Sequence, residues 1–197
     1  MKAKNSIITI TLLMGLSLIS CTNPSNNTVD GATADVTDST DMKNKQLANP
    51  SKEGDALAIL NAINTNDINA ASEARTKKMS KGAMDYADML YNEHTENMNM
   101  TLQLASSKSI TIADNNESSD VIVKGQDELN KLKTLEGKDF EYAYIDGMIK
   151  GHAEALLTID SVLMPMATNA DVQQHLTETR SRVSMHLEKG RKLRQKG

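Results

Sequence analysis

The chain has 197 residues, a formal net charge of −4, 3% aromatic residues and no Trp. So mild a charge excludes a broad basic face for nucleic acid and bulk attraction to acidic lipid. The single Cys excludes an internal disulfide and a thiolate-rich zinc site. A core so poor in aromatics must be built from Leu, Ile, Ala and the 12 Met residues, which favours helices.

The N-terminus reads as an address. Lys2 and Lys4 give a positive start, and Ile7 to Ile19 is almost wholly apolar. That length suits a signal-peptide core and is short of the roughly 20 residues a spanning helix needs. It ends in Leu18-Ile19-Ser20-Cys21, which resembles the lipobox of bacterial lipoproteins, where a Cys is acylated and becomes the new N-terminus. Thr22 follows instead of Asp, which by resemblance to Gram-negative sorting favours the outer membrane. The expected organisation is a lipoprotein signal peptide over 1–20, a lipidated Cys21 with a disordered tether over 21–52, and a folded domain over 53–197 facing the periplasm. The tether is rich in Asn, Ser, Thr and Asp and carries Pro24 and Pro50, so it lacks the apolar area to offset its ordering entropy.

Helical periodicity begins at Asp55, read as an N-cap, with Leu57, Leu60, Ile63 and Ile68 following; the first helix is expected over 55–77. The second is expected from Ser80 or Lys81 to Ser107, with a stripe through Ala83, Tyr86, Ala87, Leu90, His94, Met98, Thr101, Leu104 and Ala105. Residues 106–125 hold two β-branched pieces around a polar run and read as a loosely packed crossover, with a short helix starting near Asp127 and ended by Gly137. A third long helix is expected over 138–163, its stripe carrying Ile145, Met148, Ile149, His152, Ala155 and Ile159, with Pro165 ending it. Asn169 caps the last, over 170–194, whose stripe includes Val172, Leu176, Thr179, Val183 and His186. Its basic end suits the negative pole of a helix better than a nucleic-acid patch. The expected fold is all-α: a four-helix bundle of the ferritin-like class, two hairpins joined by a long crossover.

Asp67, His94, His152 and His186 lie about 12 to 17 residues from their hairpin turns, roughly 18–26 Å along a helix. Three imidazoles and a carboxylate at matched depth, with Glu93 beside His94 as a further candidate ligand, point to a transition metal: Fe, Cu, Zn or Mn. Two competing readings carry weight. The histidines could be structural, satisfied through a His–Asp–Tyr network using Tyr86 or Tyr144. A di-iron oxidase is disfavoured because Glu-x-x-His is absent: Tyr91, Ile149 and Val183 precede the three histidines by three. Glu93 adjoins His94, so the two side chains diverge by about 100° and seldom share an ion. Met98, Met100, Met164 and Met166 read as gap-filling residues near helix ends, although Cu(I) accepts thioethers. His175, Glu178 and Arg182 read as a solvated ion-pair ladder. No nucleophile elbow, phosphate loop or His-Glu-x-x-His motif appears, so a non-enzymatic binding module is the expectation.

Asn66-Asp67-Ile68, Met89-Leu90-Tyr91-Asn92-Glu93-His94, the Leu132 to Phe140 segment, Tyr144 with Met148 and His152, and His186-Leu187 together resemble the domain of unknown function 4142 family over about residues 55–194. The resemblance implies a ferritin-like bacterial envelope protein. It matches the family's acid-His pair to Glu93-His94 and its helix-one acid to Asp67. The chain departs from the family at Tyr86 and Lys81, where Phe and Pro are usual. The family has no settled activity, so the resemblance implies fold and address, not mechanism. Besides a metal-holding module, an envelope-stress interaction protein and a ferritin-like metal oxidase stay open.

Overall fold

The computed structural model describes residues 51–196, all helix and connecting turn. The expected signal peptide, Cys21 and nearly all of the tether lie outside the described residues. Helix α1 is Lys52–Ala74, capped by Ser51, whose side chain accepts from the Gly54 amide at 3.0 Å. The expected start at Asp55 is corrected by three residues, because a serine hydroxyl supplies the cap one turn earlier. Its first turn then packs on the chain after α2: a Cβ on Gly54 would come 2.2 Å from the Thr111 carbonyl oxygen.

Helix α2 is Lys81–Ser107, capped by Ser80, as the sequence predicts. Its end is a Schellman turn, with Ser109 at φ 55° and bonds from Ser109 N to Ser106 O (3.2 Å) and from Ile110 N to Ala105 O (2.8 Å). The expected loose crossover is instead a full helix, α3, Asn116–Lys133. Asn115 and Ser118 form a capping box that nucleates it, and the β-branched Val121-Ile122-Val123 run is carried inside it. Asn66 Nδ2 donates to Val121 O at 2.7 Å, fastening α3 to α1.

Gly137, at φ 58°, makes the turn into α4, Gly137–Thr158. Pro165 does not end this helix. A π-helical turn, Ile159–Leu163, continues it to a last turn at Met164–Met166. The Met164 amide reaches back to Ile159 O, so the ladder has shifted register before the proline, which lacks its own N–H. Asn169 caps α5, Ala170–Arg194, as expected. Glu53 accepts from Thr168 N, Thr168 Oγ1 and Asn169 N at 2.6–3.0 Å, joining the start of α1 to the α4–α5 turn.

Helix α1 packs on α2 and α3, α4 packs on α5, and α2 meets α5. The buried apolar residues fall into two clusters. One holds Leu57, Leu60, Ile159, Leu163, Val172 and Leu176. The other holds Tyr86, Leu90, Phe140, Tyr144, Ile145 and Met148. On α1, α2 and α4 the residues between the two clusters are polar yet buried: Asn64, Asp67, His94, Asn97, Thr101 and His152, joined from α5 by Thr179 and His186.

Candidate metal centre

Each helix puts a polar side chain into this layer because its apolar stripe is interrupted there by one or two turns. His94, His152 and His186 are all buried, at 3%, 0% and 2% exposure. Their rings form a near-regular triangle with centroid separations of 5.5, 5.0 and 5.2 Å. One nitrogen from each can be chosen so that all three lie within 4.8 Å of one another.

The hydrogen bonds of the rings show which nitrogens are left with lone pairs. His152 Nδ1 lies 2.7 Å from Met148 O, a carbonyl, so it carries the proton and Nε2 is left with a lone pair. His94 Nδ1 lies 2.9 Å from Asn64 Oδ1, whose own amide nitrogen donates to Asn97 Oδ1 at 2.8 Å; Nδ1 is again the donor. His186 Nε2 lies 2.8 Å from Glu93 Oε2, so Nε2 donates and Nδ1 is bare. That Nδ1 is buried and has no hydrogen-bond partner among the described residues. The His94 and His152 Nε2 atoms face each other at 3.3 Å. Two nitrogens bound to one tetrahedral ion at about 2.0–2.1 Å would be about 3.3–3.4 Å apart. Holding each imidazole by its far N–H to a carbonyl or carboxylate is the usual support of metal-binding histidines.

Asp67 Oδ2 sits 3.5 Å from His94 Nε2 on the same side. Burial raises its pKa, against the pull of His152 and His186. Burial, followed by repulsion from His152, lowers that of His94 to about 3. His186 is also lowered, chiefly by burial, although Glu93 opposes the shift. Both histidines therefore keep their lone pairs at neutral pH, as a metal ligand must. Glu93 reaches His186 rather than the nitrogen cluster, and its side chain is 35% exposed. It holds the His186 ring and is not one of the clustered groups.

The sequence brings Asp67, His94, His152 and His186 together as expected. The tyrosines do not join the rings: Tyr86 OH donates to the His186 backbone carbonyl at 2.9 Å, and Tyr144 OH has no partner among the described residues. Asn64 and Asn97 take that place, and sequence reasoning missed them. Asn97 continues the chain by donating to Thr179 Oγ1 at 2.7 Å. The signal was present, since Asn64 precedes Asp67 by three and Asn97 follows His94 by three, each on a buried face. The solvated-ladder reading of His175 is corrected: it is buried, and its Nε2 meets Thr101 Oγ1 at 2.8 Å. Glu178 instead accepts from Gln174, and Arg182 pairs with Glu96. Met164 and Met166 pack against the first apolar cluster.

No helix among the described residues is long and apolar enough to cross a membrane. No curated protein and no solved structure matches the chain. One family does: residues 37–193, most of the chain and every residue of the histidine layer, match the family described as Domain of unknown function (DUF4142), and the chain belongs to it.

Proposed function

We propose that this is a lipid-anchored protein of the bacterial envelope whose periplasmic domain, residues 53–197 behind a tether, holds one transition-metal ion in its core. In this reading Cys21 carries the lipid, and the membrane is the outer one. Helices α1, α2, α4 and α5 form a ferritin-like four-helix bundle, with α3 inside the crossover between its two hairpins. His94, His152 and His186 are the ligands, Asp67 is placed to complete the set, and Glu93, Asn64 and Met148 O hold the rings. One observation carries the metal reading: three buried imidazoles each bring a ring nitrogen within 4.8 Å of the others, while each also has a ring nitrogen bonded to a carbonyl or carboxylate oxygen. Three neutral imidazoles and a carboxylate suit Zn, Fe, Mn or Cu(II). Among the described residues the cluster holds three histidines and no carboxylate pair, and this favours binding over oxidase chemistry as our reading.

A second reading is favoured by the amide chain. Turning over Asn64 and Asn97 together, with Thr179 as donor, would make His94 Nε2 the proton donor to His152 Nε2 at 3.3 Å. The layer would then be a metal-free structural network. It would still leave His186 Nδ1 unpaired, which is why the metal is preferred.

The test is to purify the full chain from the envelope without chelator and measure metal per chain by elemental analysis. Near-stoichiometric metal is expected, absent from the His94→Ala/His152→Ala/His186→Ala variant. Glu93→Gln should weaken binding by about 10–100-fold, as loss of an orienting partner does. A folded chain that takes up none of the four metals would establish the structural network.

A further inference from the structure

Helix α3 is packed very differently on its two sides. Toward α1 it is in close contact: a Cβ on Gly125 would come 2.0 Å from the Asn66 side chain. Toward α4 it stands off. A Cβ on Gly147 or Gly151 would meet nothing within 4 Å, and these glycines sit at four-residue spacing with Ala143 and Ala155 along one flank. The gap between α1, α3 and α4 is a cleft of about 500 Å³. That lies within the range of roughly 300–1,000 Å³ that small-molecule sites occupy.

The walls are apolar, with Ile63, Val121, Leu129 and Leu132 facing the small residues of α4. Of the charged residues on the cleft, Lys124 pairs with Glu154 (2.5 Å) and Lys150 with Glu128 (3.5 Å) across from α3 to α4, Asp146 pairs with Arg194, and Lys131 is exposed to solvent. Asp67 is different. It lines the cleft, it is 7% exposed, and it accepts no hydrogen bond among the described residues. His94 Nε2 lies 3.5 Å from its Oδ2. A buried carboxylate without a donor is costly unless something supplies one.

We infer that this cleft binds a small amphipathic amine, its apolar body between α3 and the glycine flank of α4 and its N–H donor against Asp67. An apolar body matches the walls, and an amine supplies the donor that Asp67 lacks. An anion would face a buried carboxylate and is disfavoured. Asp67 is shared with the proposed metal set, so a bound metal would compete for it, and titration with chelator present tests the amine apart from the metal.

The probe is N-phenyl-1-naphthylamine, an apolar arylamine whose fluorescence rises in apolar surroundings, with 1-phenylnaphthalene as the analogue lacking the N–H. Both would be titrated in the presence of chelator into the chain from residue 22 onward, secreted without its lipidated cysteine. Saturable one-to-one binding of the amine is expected, at least 10-fold weaker in Gly147→Leu/Gly151→Leu, which fills the cleft from a side with room for the added atoms. Gly151→Leu alone serves if the double variant does not fold. Asp67→Ala, which removes the acceptor altogether, should weaken the amine several-fold and leave 1-phenylnaphthalene unchanged. Non-saturable uptake, equal amine affinity in the leucine variants, or equal amine affinity in Asp67→Ala would each overturn the assignment.

Discussion

The two ends of the helical unit and its middle are built on opposite principles. At the ends, Leu57, Leu60, Ile159 and Leu163 on one side and Phe140, Ile145 and Leu90 on the other exclude water with side chains that need no partner. In the middle, amide, carboxylate, hydroxyl and imidazole groups are equally buried and depend on one another. Apolar burial stabilises wherever the shapes fit, whereas a buried polar layer is neutral at best and costly when one member lacks a partner. The ends therefore carry the fold, and the middle is left to carry the chemistry. The largest test of this division is Leu57→Ala, at a fully buried position. It should cost about 2–5 kcal/mol in chemical denaturation and leave the proposed metal uptake of the folded fraction unchanged. His152→Leu should do the reverse, abolishing metal uptake with a smaller change in metal-free stability. If His152→Leu proved the more destabilising of the two, the layer would be structural.

The sequence showed this division unevenly, for physical reasons. Helices α2 and α5 were legible to their ends because Ser80 and Asn169 cap them and their buried faces keep the helical period throughout. Helix α3 was not, because Val121-Ile122-Val123 favours strand locally and only contact with α1 overrides it. The Asn115 capping box was the available clue. The π turn before Pro165 leaves no mark in a periodicity, since a single register shift looks like the end of a helix. The histidine triangle followed from matched depth along helices of known rise. Asn64 and Asn97 were passed over because an amide on an apolar stripe shows no chemistry until its partners on another helix are known.

Acid should strike the middle before the ends. In the metal-free chain, burial holds His94, His175 and His186 below the ordinary histidine pKa, His94 at about 3. Below about pH 6.5 the unfolded chain then binds more protons than the folded one, so stability falls as pH falls through that range. Asp67 acts in the opposite sense, because its raised pKa lets the folded state take a proton first. Three groups against one set the net sign. The denaturation midpoint should be lower at pH 5 than at pH 7.5, and bound metal should reduce the difference by occupying the same lone pairs. An unchanged midpoint over that interval would mean that the histidines are not held neutral by burial.

A smaller effect is expected where a polar atom intrudes on an apolar end. The Tyr144 hydroxyl is buried without a partner, on a ring stacked against Phe140 at 6.1 Å. Tyr144→Phe removes the unsatisfied group and keeps the ring, so stability should rise by about 1 kcal/mol. A loss of stability would show that the hydroxyl has a partner and that the polar layer extends into this end.

The smallest effect belongs to the surface of the π turn. Arg180 grips Asp160 through Nε and Nη2 at 2.6 and 2.8 Å, but both side chains are more than 40% exposed. The hydrogen bonds from Arg180 lower the Asp160 pKa, so this contribution is present above the ordinary carboxylate range and is lost only as pH falls below it. Solvent screens an exposed pair even when its geometry is bidentate. Asp160→Asn should therefore lower the denaturation midpoint slightly at low ionic strength and leave it unchanged near 1 M salt, where the screening length is about 3 Å. It should leave the decline between pH 7.5 and pH 5 intact, because Asp160 titrates below that interval. If Asp160→Asn flattened the decline, the acid sensitivity would belong to the surface of one end, and the histidine layer would lose its claim to be the part of the molecule that protons and metals reach first.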